Sequence, residues 1–394
     1  MPSRDHDFGP FEFLKRLTET PGVPGREERV RELICAQTGD LWDETRVDPM
    51  GNLICLKRAT RPRAAQRNRR TRATAAEEQR PLRVMLACHM DEIGFYVRYI
   101  DDNGFLRLQN VGGFDTRNLF ARRVVVHGQR DLVGVLNPVG KPVHLASEEE
   151  KKKIPEIREF CVDLLMPKKE VVKLVEIGDP VTLLQTTESI GEAICGKAMD
   201  NRIAVWVGIN AVRQALGLGY LECDANGNNG PAKRGASRAK SARGNGSAYD
   251  IYFVACTQEE VGLRGATAAA YGIDPDIGVC IDTTLACDTP GIGKDEAVTE
   301  FGKGVAIKVM DSASISHRGL FEEFVDLAKK HRIPYQREIL PRGGTDAGAL
   351  QRTRAGTRTI TLSVPTRYIH TVTESVHRKD AQAAVDLLAA WLAT

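Results

Sequence analysis

The chain has 394 residues, 42% hydrophobic and 27% charged, a globular composition with apolar material enough for two cores. Its net charge of +3 is local: residues 57–80 hold nine Lys/Arg against two Glu and 224–247 hold five against one Asp, which leaves the rest near −8. Basicity confined to two segments is weak evidence for nucleic-acid binding, and no nucleic-acid partner is expected. With a polar Met1–Pro10 and no apolar run near the ~18 residues of a membrane span, a cytoplasmic protein without a membrane partner is expected. The nine scattered cysteines include no Cys-x-x-Cys, which argues against a disulfide framework or thiolate zinc site.

Phe11, Leu14, Leu17 and then Val30, Leu33, Ile34 recur at helical spacing on either side of Thr20-Pro-Gly-Val-Pro-Gly25, giving helix, loop, helix. Arg46 to Lys57 reads as a turn and a strand. Residues 58–80 carry almost no large apolar side chain and cannot offset their ordering entropy by burial, so they are expected to be a flexible insertion. Leu82–Cys88 is a short apolar run of the kind covered on both faces of a sheet, and His89-Met-Asp91 follows at once. Two apart on an extended segment, His89 and Asp91 point the same way, which suits a metal-ligating imidazole steadied by a carboxylate. On its own the pair could equally be the capped end of a strand.

From Gly94 to about Thr187 short alternating runs are split by turns, an all-β pattern. Ala146–Ile154 within it reads as a solvated loop or helix start. A β module set into an α/β chain commonly serves as lid or assembly surface, so 93–189 is the candidate second domain, and 1–92 with 190–394 the discontinuous catalytic one. Helical periodicity returns from Asp200 to Arg213, with Asp200 at a position where Asp commonly serves as an N-cap. Residues 224–247 read as a second flexible insertion.

Tyr249–Cys256 reads as a buried strand ending in Thr257-Gln-Glu-Glu260, and Ile277–Ile281 as another ending in Asp282. An amphipathic helix spans Leu320–His331, a glycine loop at Arg342–Asp346 enters a helix, and a last strand at Thr359–Pro365 precedes His370. The chain closes on a helix over Asp380–Leu392. A lone Glu259-Glu260 pair would ordinarily be a solvated loop end. What changes that reading is coincidence: four strands end in, or shortly before, His89, Glu259-Glu260, Asp282 and His370, and a helix start supplies Asp200. In open α/β sheets ligands bind at the carboxyl ends of strands, so these side chains can converge. Two imidazoles and three carboxylates suit two divalent ions, Zn, Co or Mn, with one Asp able to bridge and the remaining Glu free to act as base.

The segments His89-Met-Asp-Glu-Ile-Gly94, Met199-Asp-Asn-Arg202, Thr257-Gln-Glu-Glu-Val-Gly262, Ile281-Asp-Thr-Thr284, Gly343-Gly-Thr-Asp346 and Tyr368-Ile-His370 together resemble the tetrahedral aminopeptidase family, which includes glutamyl aminopeptidases. The resemblance covers nearly the whole chain apart from the basic insertions. It implies a mixed, largely parallel α/β sheet flanked by helices, of metallo-exopeptidase type, with an inserted small β-barrel-like domain. It further implies that His89 and Asp282 hold one metal, Glu260 and His370 the other, and that Asp200 bridges them. Glu259 would be the base, Asp91 would orient His89, and the Asp200–Asn201 peptide would be cis. The substrates would be peptides cleaved at their N-terminus, and the inserted domain would mediate dimers on the way to a tetrahedral dodecamer. A deacylase of N-acyl amino acids could use the same metals. A glycoside hydrolase is a further alternative, since relatives have been labelled endoglucanases, but a carboxylate pair needs no imidazoles. Arg264, Arg342, Thr345 and Asp346 are candidates for the neighbourhood of a specificity pocket.

Overall fold

The computed structural model describes residues 8–62, 80–142, 144–223 and 246–394. Helices α1 (Glu12–Glu19) and α2 (Glu28–Thr38) flank the Pro-Gly loop and lead into β1 (Glu44–Val47), β2 (Leu53–Lys57) and β3 (Leu82–His89). Next come β4 (Gly94–Ile100), β5 (Leu106–Val111), β6 (Arg122–His127), β7 (Asp131–Pro138), α3 (Glu148–Lys152), β8 (Phe160–Asp163), α4 (Lys168–Leu174) and β9 (Pro180–Leu183). The chain returns through β10 (Glu188–Ile190), β11 (Ala193–Gly196) and α5 (Met199–Ala215) to β12 (Tyr249–Cys256), α6 (Arg264–Ile273) and β13 (Ile277–Leu285). It ends with β14 (Val305–Met310), α7 (Arg318–His331), β15 (Tyr335–Ile339), α8 (Ala347–Gln351), β16 (Arg358–Arg367), β17 (Glu374–His377) and α9 (Arg378–Leu392).

Among the described residues one mixed sheet runs β1-β2-β12-β3-β13-β16-β17-β11-β10, with β14 and β15 branching from β16. Its centre, β12-β3-β13-β16, is parallel, and the flanks are antiparallel. The parallel strands are near-continuous apolar runs because both faces are covered. One face packs on α5, in which most side chains are buried, together with α1 and α9. The other packs on α6 and α8, where Ala266, Ala269, Ala270 and Leu350 meet Met85, Ala87 and Val254. Strands β4 to β9 close separately into a six-stranded barrel, in the order β4-β5-β8-β7-β6-β9. Its core of Phe95, Leu106, Val124, Phe160 and Val181 is closed off by Val372, which comes from the main body of the chain.

The bulk of the two basic segments, 63–79 and 224–245, lies outside the described residues. Their flanks meet: the Thr60 and Arg61 N–H groups donate to the Ser247 carbonyl, and Ala59 N–H donates to Asp250 Oδ1 at 2.9 Å. The segment ends are therefore adjacent points on the edge beyond β2 and β12. The glycine turn before β14 is held in a similar way from the C-terminal helix. Asp380, fully buried, accepts the Gly302 and Gly304 N–H groups on separate oxygens, each at 2.7 Å.

Between α1 and α2 the Pro-Gly loop lies against the carboxyl edge of the sheet. Glu27, 3% exposed, accepts Gly25 N–H at 2.8 Å and Gln258 N–H at 3.1 Å on the same oxygen, so it ties this loop to the end of β12. Burial, with the nearby Asp91 charge, pushes its carboxyl up from 4.5 to about 7. Below 4.5 folded and unfolded chains both carry the proton; between there and about 7 only the folded chain does. This group's contribution to stability is therefore lost as pH rises through that window. Glu27→Gln keeps the accepting oxygen and removes the dependence. The variant should gain on the wild type by about 1–2 kcal/mol between about pH 5 and about pH 8 in urea unfolding. A difference that stays constant across that range would refute this account of Glu27.

Candidate metal centre and active site

The sheet brings its functional side chains to one edge by register alone. Cys256 pairs with His89, Cys280 with Ala87 and Asp282 with Ser363, so β3 and β12 end level with one another and β13 passes that height at Asp282. His89 is the last residue of β3, Glu259-Glu260 turn off the end of β12, and Asp282 lies where β13 reaches the same height. His370 follows β16 with φ +63°, and Asp200 stands at the start of α5 in a non-helical conformation, next to a cis peptide bond to Asn201. Asp200 therefore does not act as a simple helix cap: its carboxylate faces the sheet edge.

All seven sequence-predicted residues meet there. Asp200 Oδ1 lies 3.2 Å from His89 Nε2, and its other oxygen lies 3.4 Å from His370 Nε2. His89 Nε2 is also 4.0 Å from Asp282 Oδ1 and 3.7 Å from Glu259 Oε2, and His370 Nε2 is 3.4 Å from Glu260 Oε2. Three groups of donor atoms lie within 4.8 Å of one another among the described residues, His89–Asp200–Asp282, Asp200–Glu260–His370 and His89–Glu259–Glu260, and Asp200 belongs to the first two. Asp91 does more than stand 3.4 Å from His89 Nδ1. It is fully buried and accepts the N–H groups of Glu259 and Glu260 on separate oxygens at 3.1 and 3.0 Å.

The electrostatics of the cluster describe a place made for positive charge. Burial raises the carboxyls of Glu259 and Asp282 well above the usual carboxylate range and also raises that of Glu260. Burial alone would lower the imidazoles, yet the surrounding carboxylates outweigh it: His89 is raised well above its ordinary value and His370 to about 11. Burial would raise Asp200 too, but His370 and His89 hold it low. Without another cation the carboxylates recruit protons onto both histidines. Divalent ions would supply the same charge at the same atoms, and the paired imidazole and carboxylate donors, with Glu260 Oε1 buried and unpartnered, fit them.

Two contributors escaped the sequence reading. Glu374, buried at the start of β17, accepts His370 N–H at 2.7 Å and Asp200 N–H at 3.0 Å; burial, then the Asp200 charge, pushes its carboxyl up to about 8 against those donors. Glu92, also buried, pairs with Lys197 at 2.5 Å and accepts Gly22 N–H at 3.2 Å, steadying the loop beside Asp91. The only signal for either was a carboxylate a few residues from a ligand candidate. From the barrel side, Gly112 and Gly113 come close: a Cβ at Gly112 would stand 3.3 Å from Glu260 Oε2, and one at Gly113 3.5 Å from His370 Nδ1. Thr345 and Asp346, placed near a pocket by sequence, are interior residues. Thr345 donates to Asp311 at 2.9 Å, and Asp346 is 1% exposed, its carboxyl raised by burial to about 6.

A model of the M42 glutamyl aminopeptidase family matches residues 71–218 and 236–387. The chain is 31% identical over 395 residues to a lysyl aminopeptidase of Pyrococcus furiosus, covering 97% of this chain and 96% of that one. Among solved structures, an aminopeptidase of the archaeon Desulfurococcus kamchatkensis superposes with a TM-score of 0.81 at 32% identity, over 97% of this chain and 94% of that one. The TET1 peptidase of Pyrococcus horikoshii, which can assemble into a tetrahedron or a large octahedral shell, superposes with a TM-score of 0.76 at 28% identity, over 98% and 99%. The chain belongs to the M42 glutamyl aminopeptidase family and is an aminopeptidase, a hydrolase acting on peptide bonds.

Proposed function

We propose that the chain is a dinuclear aminopeptidase that removes the N-terminal residue of peptides, with His89 and Asp282 holding one divalent ion, Glu260 and His370 the other, and Asp200 bridging. The observation that carries this reading is the division of Asp200, which turns one oxygen to each imidazole at 3.2 and 3.4 Å while each imidazole has a second carboxylate of its own. Zn or Co suits this mixed nitrogen and oxygen donor set best, with Mn as the third choice. When bound, the ions supply positive charge that acidifies a water and polarises the scissile carbonyl.

The chain's own groups do the rest. Glu259, with its carboxylate 3.7 Å from His89 Nε2, takes the proton of the attacking water and delivers one to the leaving amine nitrogen. Asp91 sets the aim of Glu259 through the backbone and faces the far nitrogen of His89. The substrate's free α-amine, a cation, finds its counter-charge in the carboxylates around Asp200 and Glu260.

Residues 93–189 act as a separate unit for self-association, to dimers and on to a dodecamer of the kind the TET1 peptidase of Pyrococcus horikoshii forms. Support comes from large apolar side chains on the outside of the barrel, among them Leu165, Leu145 and Ile177, at 78%, 72% and 69% exposure. The enzyme works in the cytoplasm on peptides.

Glu259→Gln should leave two ions per chain in metal analysis and lower kcat by about 10²–10⁴-fold. A near-normal rate would remove Glu259 from the role of base. Chelation with EDTA should abolish activity, and Zn or Co should restore it, whereas a glycoside hydrolase built on two carboxylates would be indifferent to both. Free peptides should be cleaved and N-acylated ones spared; the reverse preference would make the enzyme a deacylase.

A further inference from the structure

Asp200 and His370 share a constraint that His89 and Asp282 do not need; Glu260, just past β12, has its own holder in Asp91. His89 and Asp282 sit within strands β3 and β13, where sheet pairing fixes their backbones. Asp200 lies outside helical geometry, at φ −79° and ψ 101°, and His370 holds a left-handed φ of +63°, a region that costs a non-glycine residue free energy unless its surroundings over-determine it. The N–H groups of both residues end on one side chain. Glu374 Oε2 accepts Asp200 N–H at 3.0 Å and Oε1 accepts His370 N–H at 2.7 Å, and the Glu374 side chain is buried.

We infer that Glu374 is the positioning residue of one metal site: by gripping the backbones of Asp200 and His370 together it creates the half of the centre that Glu260 completes, while the other half, which shares only Asp200 with it, keeps His89 and Asp282 on strands that hold them without Glu374. This rests on the two-ion reading above. Each oxygen accepts one N–H donor, and Glu374 belongs to none of the clusters of potential metal ligands. What it fixes is the spacing that leaves Asp200 Oδ2 3.4 Å from His370 Nε2. A carboxamide cannot do the same work, since its NH₂ would face a second N–H donor.

The test is metal titration of the apo protein with Zn or Co, followed by calorimetry and by analysis of retained ions. Wild type should take two ions. Glu374→Gln should keep one and bind the other about 10–100-fold more weakly, the usual penalty for removing a group that orients ligands. Asp380→Asn is the control: Asp380 is likewise a buried carboxylate holding two N–H groups, those of Gly302 and Gly304, and neither it nor they belong to the clusters of potential metal ligands. It should cost stability and leave both ions bound. Should Glu374→Gln fail to fold, Glu374→Asp retains the charge and both acceptors but falls short by a methylene, and the same selective loss is expected. If either Glu374 variant binds both ions as wild type does, or weakens both alike in the manner of a general loss of stability, the inference is overturned while the two-ion reading stands. A wild type that takes up fewer than two ions would overturn both.

Discussion

The structure depends on buried carboxylates whose oxygens are filled by backbone N–H groups. Asp91 holds Glu259 and Glu260, Glu374 holds Asp200 and His370, and Glu27 holds Gln258 together with the Pro-Gly loop. Each contact runs from a backbone N–H to a buried carboxyl oxygen, and none is available from regular secondary structure, because the residues held lie just past a strand or just ahead of a helix. The consequence is a cluster of negative charge within a few ångströms of itself. That arrangement favours positive charge inside it. Protons on His89 and His370 meet the requirement in one way and divalent ions in another, so the same groups that build the site also define what it binds.

Much of this was legible in the sequence because the catalytic half obeys simple rules. A strand covered on both faces is written as an unbroken apolar run, and Leu82–Cys88, Tyr249–Cys256 and Ile277–Ile281 are such runs, each followed by a polar side chain at the carboxyl end. Register then makes convergence automatic. The alternating segments between Gly94 and Thr187 announced a separate β unit for the same reason: a small barrel buries one face of each strand and exposes the other.

What stayed hidden was hidden by polarity inside the fold. Strand β14 carries Lys308 at its centre, a residue that argues against a buried strand, yet Lys308 is fully buried and lies 2.9 Å from Glu338 on β15. Each charge is acceptable only because the other is present, and nothing in either segment alone says so. Glu374 and Glu27 were missed in the same way. A glutamate near a histidine or a Pro-Gly loop is an ordinary surface residue until the fold withdraws water from it. Asp200 gave a misleading signal of another kind, since Asp before an apolar helical pattern is a common cap, and only the non-helical backbone of Asp200 and Asn201 turns its carboxylate toward the sheet.

The barrel also takes part in the site itself. It leaves the sheet directly after the His89–Asp91 segment and sends the end of β5 back over the centre, where Gly112 has φ +86° and a Cβ would meet Ile93 Cγ2 at 2.5 Å. No side chain fits at that point without moving Ile93, and the next residue, Gly113, faces His370. The barrel thus supplies a wall of bare backbone to the half of the centre that holds Glu260 and His370. Val372, two residues beyond His370, is packed into the barrel core. The His370 loop is therefore clamped from two sides, by Glu374 within the catalytic body and by the barrel through Val372. His89, by contrast, is held by the pairing of the central sheet.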